Sequence, residues 1–111
     1  MTRISIALVS LLATLALATS AGAATPTLIG TVGPGFTITM NKRTVTAGSY
    51  VIVIHVRSPI HNFRLTGRGV DKATTLSFVG TVKWTVKLKK GTYSYVCDPH
   101  RAIMHGVLKV T

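Results

Sequence analysis

The stretch "TVKWTVKLKKG" constrains the fold of this chain more than any other. Val82, Trp84, Val86 and Leu88 alternate with Lys83, Thr85, Lys87 and Lys89. A period of two marks a strand with one face on a core and the other in water. Lysines on the wet face also discourage pairing with another chain's edge. No stretch of the domain shows sustained helical spacing, and Gly or Pro punctuation recurs about every 8–12 residues, the rhythm of a small sandwich or barrel. The fold class expected is therefore all-β.

Residues 25–35 read as an edge strand followed by a turn. Phe36, Ile38 and Met40 then alternate with threonines. Tyr50–Val56 is almost wholly β-branched or aromatic and suits a central strand buried on both faces. "RGVDKA" reads as a polar loop, and "GTYSYVC" and "GVLKVT" as the last two strands. The core is expected to draw on Phe36, Ile38, Val51, Val53, Phe63, Phe78, Trp84, Val86, Tyr93, Tyr95 and Val107.

Residues 1–24 have the layout of a secretory signal: Arg3, an apolar run from Ile4 to Ala18, and the small residues Ala21-Gly22-Ala23. The apolar run is short for a membrane span, which takes roughly 20 residues. No cysteine stands near the cut, so lipid attachment there is excluded. Residues 25–111 form one small domain, expected in the periplasm or outside the cell. Such domains often rely on disulfides, but Cys97 is the only cysteine. An unpaired cysteine in an exported chain means an intermolecular bridge, a reactive thiol or a metal ligand.

Loss of Arg3 leaves twelve Lys and Arg against Asp71 and Asp98, a net charge of +10 with histidines neutral. Such an excess attracts acidic proteins, nucleic acid or lipid headgroups. Exposed aromatics for base stacking are not evident, and export removes the chain from most nucleic acid, which disfavours that partner. An anionic membrane surface stays open as a partner through the basic charge.

The chemistry lies in "YSYVCDPHRAIMHG". Pro99 and its neighbours make a tight loop, which lets Cys97 and His100 bend toward one point, with Met104 at the loop's far end. "SPIHNF" supplies a second histidine, His61, from a distant strand-to-turn junction. Each residue alone has a plainer reading, as a small buried hydrophobe, a loop histidine or core filler. Together, two His, one Cys and a weak axial Met are the donor set of a blue-copper electron-transfer site. Zinc also accepts Cys and His, but methionine is a poor zinc ligand. His105 adjoins Met104 and competes as an axial donor. His55, inside a strand, reads as a structural histidine, and Trp84 as core.

"SPIHNF" and "GTYSYVCDPHRAIMHGVLKV" resemble the cupredoxins, the small copper proteins similar to plastocyanin, pseudoazurin and amicyanin, and the resemblance runs across residues 36–111. It implies a Greek-key β-sandwich or barrel of about seven to eight strands. It also implies one copper ion cycling between Cu(II) and Cu(I) on His61, Cys97, His100 and Met104, with Asn62 tying the two ligand loops together. The Cys-to-His spacing matches plastocyanin and amicyanin, whereas the His-to-Met spacing falls between theirs.

The function expected is one-electron transfer rather than enzymatic catalysis, since no donor position is left for a substrate and no further His cluster exists for added copper sites. His100 would present its ring edge to solvent beside an apolar docking patch of Pro99, Ala102 and Ile103. The chain is expected to be a monomer meeting an acidic redox protein transiently, steered by its charge. The alternative is a module for copper storage or delivery, or a metal-free cationic binding domain.

Overall fold

The computed structural model describes residues 2–5, 7, 10–14 and 24–111. The expected cleavage site at Ala21-Gly22-Ala23 and part of the apolar run before it lie outside the described residues. Among those described, no helix is long and apolar enough to cross a membrane.

Among the described residues nine strands make two sheets. They are β1 (Thr27–Val32), β2 (Ile38–Met40), β3 (Thr44–Val45), β4 (Gly48–Val56), β5 (Arg64–Gly67), β6 (Val70–Ala73), β7 (Gly80–Leu88), β8 (Gly91–Val96) and β9 (His105–Val110). One sheet runs β2-β1-β4-β7 and the other β3-β9-β8-β5-β6. The chain crosses repeatedly between sheets, and two pairs, β1 with β4 and β3 with β9, are parallel. This is the expected all-β sandwich, with nine strands because short pieces such as Thr44–Val45 count as elements.

The core lies between the sheets. Leu28 and Val32 of β1, Tyr50, Ile52, Ile54 and Val56 of β4, and Val86 and Leu88 of β7 face Leu65, Tyr93, Tyr95, Leu108 and Val110 from the other layer. The alternation read in β7 holds: its lysines are exposed, and Val82 and Trp84 pack against the core. Phe63 is enclosed, stacked on Tyr95 with ring centroids 5.6 Å apart and 8° between planes. Offset aromatic pairs of this kind add about 0.5–1.5 kcal/mol beyond burial. Gly106 lies opposite Tyr95 across the β8–β9 pair, and a Cβ there would run into the Tyr95 ring.

Several expectations are corrected. β1 is not an edge strand; it lies between β2 and β4, and the edges of that sheet are β2 and β7. β4 buries one face fully and the other only by half, so Ile52 and Ile54 form the core while Val51 and Val53 lie on the outer face. In β9, Leu108 and Val110 point inward and Val107 outward. "RGVDKA" contains β6, paired with β5 in a tight hairpin. Phe36 is 55% exposed in the loop before β2. Leaving a phenylalanine in water forgoes roughly 1.5–3 kcal/mol of burial, so its position calls for another reason.

The registers gather four loops at one end. Val32 of β1 lies beside Val56 of β4, which lies opposite Gly80 of β7. In the other sheet Arg64 opposes both Ala73 and Val96, and Val96 opposes His105. Segments 33–37, 57–63, 74–79 and 97–104 therefore share this end. The Ser77 N–H donates to the Pro59 carbonyl at 3.1 Å, and the Thr74 N–H to the Phe63 carbonyl at 2.9 Å, which fastens the third segment to the second.

Candidate metal centre

Where β8 ends, Cys97 keeps an extended backbone (φ −93°, ψ 117°), and Asp98-Pro99-His100 make one turn of 3-10 helix. Proline suits the first turn because its missing N–H would have no helical partner there. The His100 N–H donates to the Cys97 carbonyl at 3.0 Å, and the Met104 N–H to the His100 carbonyl at 2.8 Å. The Cys97 N–H closes the loop by donating to the Met104 carbonyl at 3.0 Å. This folded loop aims Cys97 and His100 at the segment that carries His61.

His61 Nδ1 lies 3.1 Å from His100 Nδ1. Cys97 Sγ lies 3.7 Å from the first nitrogen and 3.5 Å from the second. A triangle with those sides has a circumscribed radius of about 2.0 Å, close to the ~2.0–2.3 Å of metal–nitrogen and metal–sulfur bonds at such sites. The three donors therefore fit one ion. His61 and Cys97 are fully buried and His100 is half-buried. No other group of three or more His, Cys, Asp or Glu side chains among the described residues is placed to do the same. A thiolate with two imidazoles suits copper, the thiolate being soft and the imidazoles accepting either oxidation state.

Met104 is fully buried at the far end of the same loop. His105, the first residue of β9, is exposed. His55 lies on the outer face of its sheet, with Nδ1 3.0 Å from Thr81 Oγ1 on the neighbouring strand. Pro99, Ala102 and Ile103 are exposed on the loop surface around His100.

Asn62 is buried between the two ligand-bearing segments. Its Nδ2 donates to Asp98 Oδ2 at 2.7 Å and to the Thr74 carbonyl at 3.4 Å, and its Oδ1 accepts the Asp98 N–H at 2.7 Å. The Asp98 carboxylate also accepts from Arg64 Nε at 2.9 Å and Arg101 Nη2 at 2.8 Å. Asn62 follows His61 in the chain, Asp98 follows Cys97 and Arg101 follows His100. One carboxylate thus ties together the chain neighbours of all three donors.

Burial opposes ionisation of Asp98. Hydrogen bonds from Asn62 and Arg64, the Arg64 charge and a bond from Arg101 outweigh it and hold the carboxyl below the usual carboxylate range. The Arg64 guanidinium is pushed up by its bond to Asp98 first and by its bond to Asp71 second.

Sequence reasoning passed over this carboxylate. The signal was present: one of only two acids in a strongly basic domain directly follows the cysteine. It also misplaced Phe36. That ring meets His61 edge-on, with centroids 5.3 Å apart at 74°, and His100 at 5.0 Å and 89°. "GPGF" puts the aromatic on a turn rather than in a strand, which was the available hint. Gly33 in the same turn has φ +76°, and a Cβ there would lie 3.1 Å from His61 Cδ2. Glycine there lets the turn approach the histidine.

The sequence profile of the copper-binding proteins of the plastocyanin/azurin family matches residues 27–111. No curated protein sequence matches the chain. Among solved structures, reduced rusticyanin is 24% identical with a TM-score of 0.60, the match covering 77% of this chain and 78% of that one. Rusticyanin from Thiobacillus ferrooxidans is 22% identical with a TM-score of 0.59, over 77% and 76% of the two chains. At that identity the structures speak for a shared cupredoxin fold. The profile match runs through every strand of the sandwich and takes in all three clustered donors: the chain belongs to the plastocyanin/azurin family of copper-binding proteins.

Proposed function

We propose that this protein is an exported one-electron carrier whose single copper ion is held by His61, Cys97 and His100, with Met104 as the weak axial donor. Copper supplies a Cu(II)/Cu(I) couple when bound. The observation that carries the reading is the placement of the donors: two are fully buried, and the third, His100, reaches half into solvent at the loop end.

The chain's own groups explain why such a site would pass electrons well. The Cys97 thiolate and the thioether of Met104 favour the reduced ion, and the imidazoles accept both states. The bonds around Asp98 fix the segments bearing the donors, so little rearrangement accompanies a change of charge. Burial of His61, Cys97 and Met104 keeps water from the inner side. With Met104 completing the set of three clustered donors, no position would be left for a substrate, which favours a carrier over an enzyme.

His100 would serve as the port. Around it the end of the sandwich exposes Phe36, Ile60, Leu76, Val79 and Ile103 from the four gathered loops, beside Pro99 and Ala102. An apolar patch with a redox group at its centre suits a small, transient interface. The basic charge would steer an acidic redox partner, faster at low salt. Residues 1–24 would direct export to the periplasm or beyond and leave 25–111 as the working domain.

The test is repeated reduction and reoxidation of the copper-loaded protein in the presence of a copper chelator. A carrier keeps its copper through many cycles. Release to the chelator on first reduction would overturn the reading in favour of copper storage or delivery.

A further inference from the structure

The flank of the sandwich away from the metal end carries a second feature. β6 and β7 are the last strands of their sheets, each paired on one side only. A groove of about 380 Å³ runs between them. Its floor is Val86, which is buried, and Val70, which packs against the core. Arg68, Lys72, Lys87 and Lys89 line it. The one acid in its lining, Asp71, is already bonded to Arg64 Nη1 at 2.7 Å. The groove therefore offers four cations above an apolar floor.

Arg68 gives an independent sign. It and Gly69 form the two-residue turn between β5 and β6, with φ 35° and 81°. Asn and Gly take positive φ at such a turn with less strain than arginine does. Here the arginine side chain passes over Gly91, where an added Cβ would lie 3.0 Å from Arg68 Cγ, and lines the groove. A strained residue that delivers a charge to a groove is a pointer to function.

We propose that this groove is a tethering site for an extended acidic polypeptide segment. Both walls are strand edges with free backbone N–H and C=O groups, which an extended chain can pair with. Alternate side chains of that segment would then face the cations and the apolar floor. A flat lipid surface does not reach into a cleft between two edges, and the lining holds no aromatic ring on which a nucleic-acid base could stack. Val86 pairs with Tyr50, six residues along β4 from Val56 at the metal end. At roughly 3.3 Å per residue that is about 20 Å. A segment bound here would hold the protein while leaving the His100 end free. The inference does not depend on the electron-carrier reading.

The test uses the full chain loaded with copper and a fluorescein-labelled deca-glutamate peptide, with binding read by anisotropy at two salt concentrations. Reversing Lys72 and Lys87 to Glu is expected to weaken binding about tenfold or more, in line with the effect of charge complementarity on encounter and affinity. Reversing Lys83 and Lys109, which lie outside the groove and change the net charge equally, is expected to weaken it far less. Arg68→Asn keeps a turn-compatible residue and removes one cation; it should fold at least as stably and still bind more weakly. Chemical-shift mapping of the wild type decides the matter should a reversal variant fail to fold, with shifts expected at β6 and β7. Equal weakening by both charge reversals, shifts centred on the metal end, or groove-dependent binding to anionic vesicles without peptide binding would each overturn the proposal.

Discussion

Asn62 and Asp98 hold each other by two hydrogen bonds of 2.7 Å, one from the Asn62 amide to the Asp98 carboxylate and one from the Asp98 N–H to the Asn62 oxygen. Thirty-six positions separate them in sequence, and each directly follows a candidate copper ligand. The pair sets the distance between His61 and Cys97. Replacing Asn62 with Ala leaves the Asp98 N–H without a partner and removes one of the hydrogen bonds its carboxylate accepts. That should cost the metal-free protein about 1–3 kcal/mol in chemical unfolding. Copper affinity, read by competition with a chelator, should fall roughly 10–100-fold.

Asp98 also sets an acid limit. Its carboxyl is held below the ordinary range, so its contribution is complete above the unfolded-state value of roughly 3.9 and is lost as pH falls through the lower folded value. Urea unfolding of the metal-free protein between pH 5 and pH 2 should therefore show stability falling with acid. Asp98→Asn should begin less stable near neutral pH and show a shallower fall; an unchanged slope would show that Asp98 is not the group responsible.

Phe36 should shield the centre rather than support the fold. It is more than half exposed, and its main partners are the rings of His61 and His100. Phe36→Ala should lower stability by about 1 kcal/mol or less. It should also speed extraction of copper by a small chelator several-fold. Equal extraction rates in the two proteins would remove the shielding role.

Gly106→Ala tests the packing beneath the site. The added methyl runs into the Tyr95 ring, which is stacked on Phe63 next to Asn62. Overpacking of this kind typically costs about 1–3 kcal/mol, visible as a lowered unfolding midpoint. A neutral result would mean that Tyr95 has room to move.

What the sequence made legible follows from how sharply each stretch alternates. β7 alternates apolar residues with lysines and threonines, so its inward face could be read without a structure. Tyr50–Val56 is apolar throughout, and nothing in it says whether Val51 and Val53 or Ile52 and Ile54 face the core. A one-residue change of register exchanges the faces, and the partner strands decide it. Adjacent Val107 and Leu108 pose the same ambiguity in β9. The clustering of His61, Cys97 and His100 was legible because Cys97 and His100 lie three residues apart and His61 carries its own motif. The bonds around Asp98 were not, since Arg64 meets Asp98 on one side and Asp71 on the other only through the pairing of β5 with β8 and β6. Phe36 was misplaced because alternation across "FTITM" extends one step beyond the strand that forms.

The central claim is that His61, Cys97 and His100 together hold one copper ion. Its most direct measurement is visible absorption during copper titration of the wild type and of Cys97→Ser. An intense thiolate-to-copper band should grow in the wild type to one equivalent and be absent from the variant, because an alcohol does not replace the thiolate at neutral pH. A band of equal intensity in Cys97→Ser, or none in the copper-saturated wild type, would contradict the account.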